Sequence, residues 1–161
     1  MINTSASNGE PVVREWHELA VGMTVRIPFT ISHEDMAAFE ALSGDRSRIH
    51  KDAGFAKANG FAEPVVYGAL TVARLSQLVG MHLPGDLGLA TSWRIDFNNP
   101  LYVGEDAWFE GELMHVSEAT RTVKIKFRVH AAAKQGSKSS SDDKLVATGS
   151  AESKILLEAI A

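Results

Sequence analysis

Cysteine is absent from this chain, which excludes a disulfide framework, a thiolate metal site and a cysteine nucleophile together. No apolar run approaches the roughly 20 residues that a membrane-spanning helix needs. The opening stretch MINTSASNGE is polar and lacks the apolar centre of a secretory signal, so a cytoplasmic protein is expected. Charge of one sign is also scarce: 16 Lys and Arg face 20 Asp and Glu, a net charge of −4. So mild an acidity provides no footprint for nucleic acid or an anionic membrane surface. The histidines at 17, 33, 82, 115 and 130 show no metal-ligand spacing, and neither a metal nor another cofactor is expected.

What is present suits one soluble domain. The 161 residues are 45% apolar and 22% charged, an ordinary globular balance with length enough for a proper core. Residues 1–15 are polar without periodicity and read as a flexible lead-in to a domain over 16–161. From Thr24, Val25, Ile27, Phe29 and Ile31 alternate as one face of a strand. Ser32 then reads as an N-cap, with Asp35 in a capping-box position. Met36, Phe39 and Leu42 give the next helix an apolar face, and Gly44 ends it.

A polar loop follows, Asp45 to Lys51, then a short helical turn around Gly54 to Asn59 and a proline at 64. The longest apolar helical stretch runs from Gly68 to Met81 through Leu70, Val72, Leu75, Leu78 and Val79. A helix apolar over most of its circumference is normally surrounded by protein, which makes it the centre of the fold. Strand patterns fill the remainder: Trp93, Ile95 and Phe97; Ala107 to Val116; Val123, Ile125, Phe127 and Val129; and Leu145 to Leu156. The Lys/Arg alternation at 124–128 is the wet face of an amphipathic strand. Lys134 to Lys144, rich in Ser, Lys and Asp, reads as a mobile hairpin tip. Successive strands without crossover helices imply an antiparallel sheet, and wrapping it around the buried helix gives an α+β layer.

The segment FEALSGDRSRIHKDAGFAKANGFAEPVVYGALTVARLSQLVG, residues 39–80, resembles the MaoC-like dehydratases and R-specific enoyl-CoA hydratases. Their pattern runs ALSGD-x-NPIH-x-D, then F-x-x-PI-x-HGM-L. WRIDFNNPLYVGED at 93–106 resembles their F-x-x-P-V-x-x-GD element, and WHELAVGM at 16–23 their opening segment. The likeness spans residues 16 to 157. It implies a hotdog fold, in which the antiparallel sheet wraps a long central helix. It also implies a homodimer or dimer of dimers, and reversible syn addition of water to trans-2-enoyl thioesters of coenzyme A or acyl carrier protein, a hydro-lyase activity of fatty acid metabolism. By position, Asp45 and His50 are the catalytic pair, and Gly68 supplies the N–H that polarises the thioester carbonyl. Ser76 matches a serine that supports the active-site loop. Ser47-Arg48 replaces the family's Asn-Pro, and Tyr67 replaces its His before the helix glycine; Ser47 and Tyr67 are therefore supporting candidates.

The chemistry needs these residue types. Hydration delivers an oxygen to Cβ and a proton to Cα, work that a His near neutral pH and an Asp orienting water can share. A helix N-terminus offers free N–H donors where charge develops on the thioester oxygen. Plainer readings stand beside these. Asp45 can be a solvated loop carboxylate, His50 a core-edge histidine, Gly68 a packing residue and Ser76 a small residue in a packed helix. Arg46, Arg48 and Lys51 can meet coenzyme A phosphates or simply be solvated. A thioesterase and a non-catalytic acyl-binding protein on the same fold remain open readings, although the central helix carries no Asp or Glu of the kind hotdog thioesterases place there.

Overall fold

The computed structural model describes residues 9–132 and 143–157. Strand β1 (Thr24–Phe29) leads to helix α1 (His33–Ser43), a 3₁₀ turn (Arg48–His50), α2 (Ala53–Ala58) and α3 (Gly68–Gln77). Then come β2 (Gly88–Phe97), β3 (Ala107–Ser117), β4 (Thr122–Ala131) and β5 (Lys144–Ile155). The strands form one five-stranded sheet in the order β1-β3-β4-β5-β2, antiparallel at every pairing. Among the described residues no helix is long and apolar enough to cross a membrane.

Alternation dictates which face of the sheet is buried. In β4, Val123, Ile125, Phe127, Val129 and Ala131 are buried while Lys124, Lys126 and Arg128 are exposed. In β3 the inward row is Ala107, Phe109, Gly111 and Leu113. Leu75, Leu78 and Val79 close onto that face from the central helix and its continuation, each nearly fully buried. Gly111 permits the approach, since a Cβ there would lie 3.1 Å from Val25 Cγ1 and 3.2 Å from Leu78 Cδ1. Helix and sheet bury one another, the hotdog arrangement.

Local chemistry sets the helix boundaries. The Ser32 side chain accepts from the Asp35 N–H at 3.1 Å, and the Asp35 carboxylate accepts from the Ser32 N–H at 2.8 Å, a reciprocal capping box. Gly44 closes α1 in the left-handed region at φ 74°, a conformation glycine adopts without a Cβ penalty. The expected helix over 68–81 is α-helical to Gln77 and continues as a π-helical turn, Leu78–His82.

Several expectations need correction. Leu42, assigned to the apolar face of α1, is 86% exposed; it lies in the helix's last turn, where the packed face has already turned away from the core. Residues 12–14, read as part of a flexible lead-in, are anchored. Val12 N–H donates to the Met81 carbonyl at 2.9 Å, and Val12 accepts from the Asp86 N–H at 3.0 Å. The buried Arg14 guanidinium donates to the carbonyls of His82 and Pro84. This strap satisfies the carbonyls that the end of the central helix leaves over. The central helix is not enclosed on all sides either: Ala69, Ala73, Ser76 and Gln77 are exposed. Of the expected hairpin tip, residues 134–142 lie outside the described residues. Lys144 already belongs to β5 and pairs with Glu105 at 2.7 Å.

Arg14→Ala leaves the carbonyls of His82 and Pro84 without their cationic donor. It is expected to lower the unfolding free energy by roughly 1.5–3 kcal/mol, the usual range for hydrogen bonds to a charged group, as measured by urea denaturation.

Candidate active site

The loop after α1 builds itself from short-range hydrogen bonds. Asp45 N–H donates to Ser43 Oγ at 3.1 Å. Asp45 Oδ1 accepts from the Ser47 N–H at 2.9 Å and from Ser47 Oγ at 2.5 Å. These Ser47 bonds, the hydroxyl first and the N–H second, with a smaller contribution from His50, hold the Asp45 carboxyl below the usual carboxylate range. Ser47 thus serves as a clamp on Asp45. The chain then turns through Arg48–His50, with Lys51 N–H on the Arg48 carbonyl at 3.1 Å, and Asp52 caps α2 through the Phe55 N–H at 2.9 Å.

His50 is oriented by the opposite wall. Its Nδ1 lies 2.7 Å from the Val65 carbonyl oxygen. A carbonyl can only accept, so Nδ1 donates and Nε2 is the ring nitrogen left to exchange a proton. Val65 N–H returns a bond to the Ile49 carbonyl at 3.0 Å, and Val66 N–H bonds Leu101 O at 2.8 Å. The loop is thereby stitched to the segment that delivers the start of α3.

Tyr67 joins the two candidate catalytic residues. It is 2% exposed, its hydroxyl donates to the Asp45 carbonyl at 2.9 Å, and its ring lies 4.1 Å from that of His50 and 4.9 Å from that of Phe39. Burial first, then the Glu40 and Asp45 carboxylates, push the phenol's pKa up. It is a neutral donor at physiological pH.

Gly68 opens α3, where the N–H has no intrahelical acceptor. A Cβ on Gly68 would lie 2.9 Å from Phe97 Cζ, so any side chain there would push that ring off the helix start. His50, Gly68, Thr71, Phe97 and Asn98 line one cavity of about 470 Å³, whose other walls, among them Phe61, Val66 and Leu101, are mostly apolar. His50 also borders a second cavity of about 300 Å³, shared with Glu40, Lys51 and Tyr67. A hollow on the outer sheet face, near Arg26, Glu110 and Arg128, touches none of these residues.

The structure thus brings His50, Gly68 and Tyr67 together and holds Asp45 beside them, though Asp45 does not line the larger cavity. Ser76 is exposed on α3 and lines neither of these two cavities. Arg46 and Lys51 pair with Glu40 at 3.4 and 2.7 Å, and Arg48 pairs with Asp52 at 3.0 Å. Sequence reasoning passed over Thr71, Phe97 and Asn98 as site residues. Thr71 was detectable as a hydroxyl one helical turn after Gly68, whereas the place of Phe97 depends on a strand far away in sequence.

Comparison with known proteins gives three findings. The sequence model described as the MaoC like domain matches residues 18–135. Relatives include an (R)-specific enoyl-CoA hydratase of Aeromonas caviae, 33% identical over 111 residues, covering 66% of this chain and 83% of that protein. They also include a mitochondrial 3-hydroxyacyl-[acyl-carrier-protein] dehydratase of Arabidopsis thaliana, 27% identical over 109 residues, covering 68% of this chain and 64% of that protein. Among solved structures, an R-hydratase from Pseudomonas aeruginosa in the unliganded form superposes with a TM-score of 0.74 at 29% identity. That match covers 89% of this chain and 86% of the other.

The Ser47 clamp generates a titration prediction. Ser47→Ala removes the hydroxyl bond and keeps the backbone N–H, so the Asp45 pKa should rise toward the ordinary carboxylate value and stop short of it. Because the folded-state pKa is depressed, Asp45 favours folding above its unfolded pKa, and this is lost as pH falls through the folded value. Carboxyl-carbon NMR titration of both proteins below about pH 5, spanning the ordinary aspartate range, reads the shift directly.

Proposed function

The chain belongs to the MaoC-like domain family, and from that premise we propose that it is an (R)-specific hydro-lyase of acyl thioesters. It adds water to trans-2-enoyl thioesters and removes it from 3-hydroxyacyl thioesters. The observation that carries this reading is the shared cavity, in which His50, held through Nδ1, and the start of α3 at Gly68 line one apolar-walled space.

In hydration the water oxygen bonds to Cβ, and His50 Nε2 accepts the proton it sheds. The π-electron pair moves toward Cα and the thioester carbonyl. Negative charge grows on that oxygen, where the Gly68 N–H and the positive end of α3 stabilise it. The proton held on His50 is then delivered to Cα, and dehydration is the reverse. Asp45, with one oxygen held by Ser47, uses its remaining oxygen to orient the water. Tyr67 holds the Asp45 backbone and the His50 ring in one frame. Carriers of both kinds, coenzyme A and acyl carrier protein, occur in the names of the relatives, and both belong to the proposed substrate class. Such thioesters serve fatty acid metabolism inside cells, and a cytoplasmic setting is part of the same proposal.

The reading includes a homodimer. Among the described residues strand β2 pairs only with β5, and it carries exposed Leu89, Trp93 and Phe97, the last beside Gly68 at the start of α3. An unpaired edge with aromatic side chains is covered most simply by the same edge of a second copy. Light scattering at micromolar concentration should give twice the chain mass, and Trp93→Glu should shift the protein toward monomer. A wild-type monomer contradicts the dimer.

The function is tested with crotonyl-CoA and longer trans-2-enoyl-CoAs by following loss of enoyl absorbance. Wild-type protein should hydrate them. Asp45→Asn and His50→Ala should each lower the rate by about 10²–10⁴-fold, with melting temperature nearly unchanged. Free thiol release instead of hydration would make the protein a thioesterase.

A further inference from the structure

One polar side chain in the larger cavity has no task in the mechanism above. Thr71 is 2% exposed, lines the cavity with His50 and Gly68, and its hydroxyl has no hydrogen-bond partner among the described residues. A helical threonine or serine commonly returns its hydroxyl to a carbonyl one turn back, as Ser43 does to Phe39 at 2.7 Å. Thr71 does not. Thr71 Oγ1 is not among the buried side-chain atoms left without a partner, so the hydroxyl opens onto the cavity it lines, where a bound ligand supplies the hydrogen bond that the protein does not.

Position says which ligand atom that is. Thr71 follows Gly68 by three residues on the same face of α3. The axial rise is roughly 4.5 Å, shortened because helical side chains lean back toward the N-terminus. A ligand whose carbonyl oxygen meets the Gly68 N–H therefore passes Thr71 a few bonds further along. We propose that Thr71 contacts substrate directly, its hydroxyl bonding the oxygen at Cβ: the attacking water in hydration, the 3-hydroxyl in dehydration. This deepens the hydro-lyase reading and rests on it. Thr71 moves no proton in the net reaction. It fixes the oxygen between His50 and Cβ and lets the cavity distinguish a 3-hydroxyacyl chain from a saturated one.

The test separates binding from turnover. In the His50→Ala protein, which cannot dehydrate the hydroxylated ligand efficiently, calorimetry compares (R)-3-hydroxybutyryl-CoA with butyryl-CoA, which differ only at the β-oxygen. The hydroxylated ligand should bind about tenfold more tightly, the scale of one good hydrogen bond. Adding Thr71→Val should erase that preference while leaving butyryl-CoA affinity unchanged, and Thr71→Ser should restore most of it. A thermal melt verifies that each variant is folded, and Thr71→Ala, which also removes the hydroxyl, carries the test if the Val variant is not. Equal affinities before any change at Thr71, or a preference that survives Thr71→Val, overturns the proposal. So does equal weakening of both ligands, which would put the hydroxyl on the thioester oxygen. Failure of wild-type protein to hydrate crotonyl-CoA sinks the hydro-lyase reading separately, and binding of neither ligand, on coenzyme A or on carrier protein, overturns both.

Discussion

A single proton, held between His50 Nδ1 and the Val65 carbonyl at 2.7 Å, organises the site. It fixes which ring nitrogen donates to the protein, and with it the one left to exchange a proton. It ties the loop after α1 to the segment before α3, so His50 and the helix start are positioned by one connection. The reciprocal bond from Val65 N–H to Ile49 and the bond from Val66 N–H to Leu101 extend that connection to the strand-linking segment on the far side. His50 could not keep its orientation if this seam opened, and Gly68 could not keep its distance from it.

The departures from the family pattern make sense on this frame. Serine at 47 does more than occupy the place of an asparagine: its hydroxyl and N–H both fall on Asp45 Oδ1, keep that carboxylate ionised and leave it one oxygen for other work. Tyrosine at 67 cannot titrate near neutrality, and its burial raises its pKa further, so its part is geometric. It packs on the ring of one candidate catalytic residue and bonds the backbone of the other. Phe97 links the site to the open edge of the sheet. Its ring roofs Gly68 while more than half of its surface remains exposed on β2, which places the cavity and the proposed dimer contact side by side.

Much of this was legible in the sequence wherever a local rule decides the outcome. The alternation in β4 survives as a buried and an exposed row because both neighbours of that strand are present in the same chain. The Ser32–Asp35 box and the Gly44 cap depend on residues at most a few positions apart, and they form as the residue types require. The same alternation in β2 did not translate into burial: Trp93 and Phe97 sit on a strand that is an edge, and edge or centre is a property of topology, which periodicity does not encode. Leu42 fits an apolar helical face but falls where α1 has left the core. Arg14 looked like part of a polar lead-in because its acceptors are carbonyls nearly seventy residues away. Asp45, His50 and Gly68 are candidates through their motif. Thr71 was hidden by its surroundings, since a hydroxyl inside an apolar helix looks like packing until a cavity is seen beside it.

The central claim is that one base and one helix start act from one side of a single cavity. Hydrating crotonyl-CoA in heavy water tests it most directly, with the product's configuration at both carbons read by NMR. The account predicts a single product, R at Cβ, with one deuterium at Cα on the same face as the new hydroxyl. Deuterium on the opposite face, or distributed over both, would contradict it.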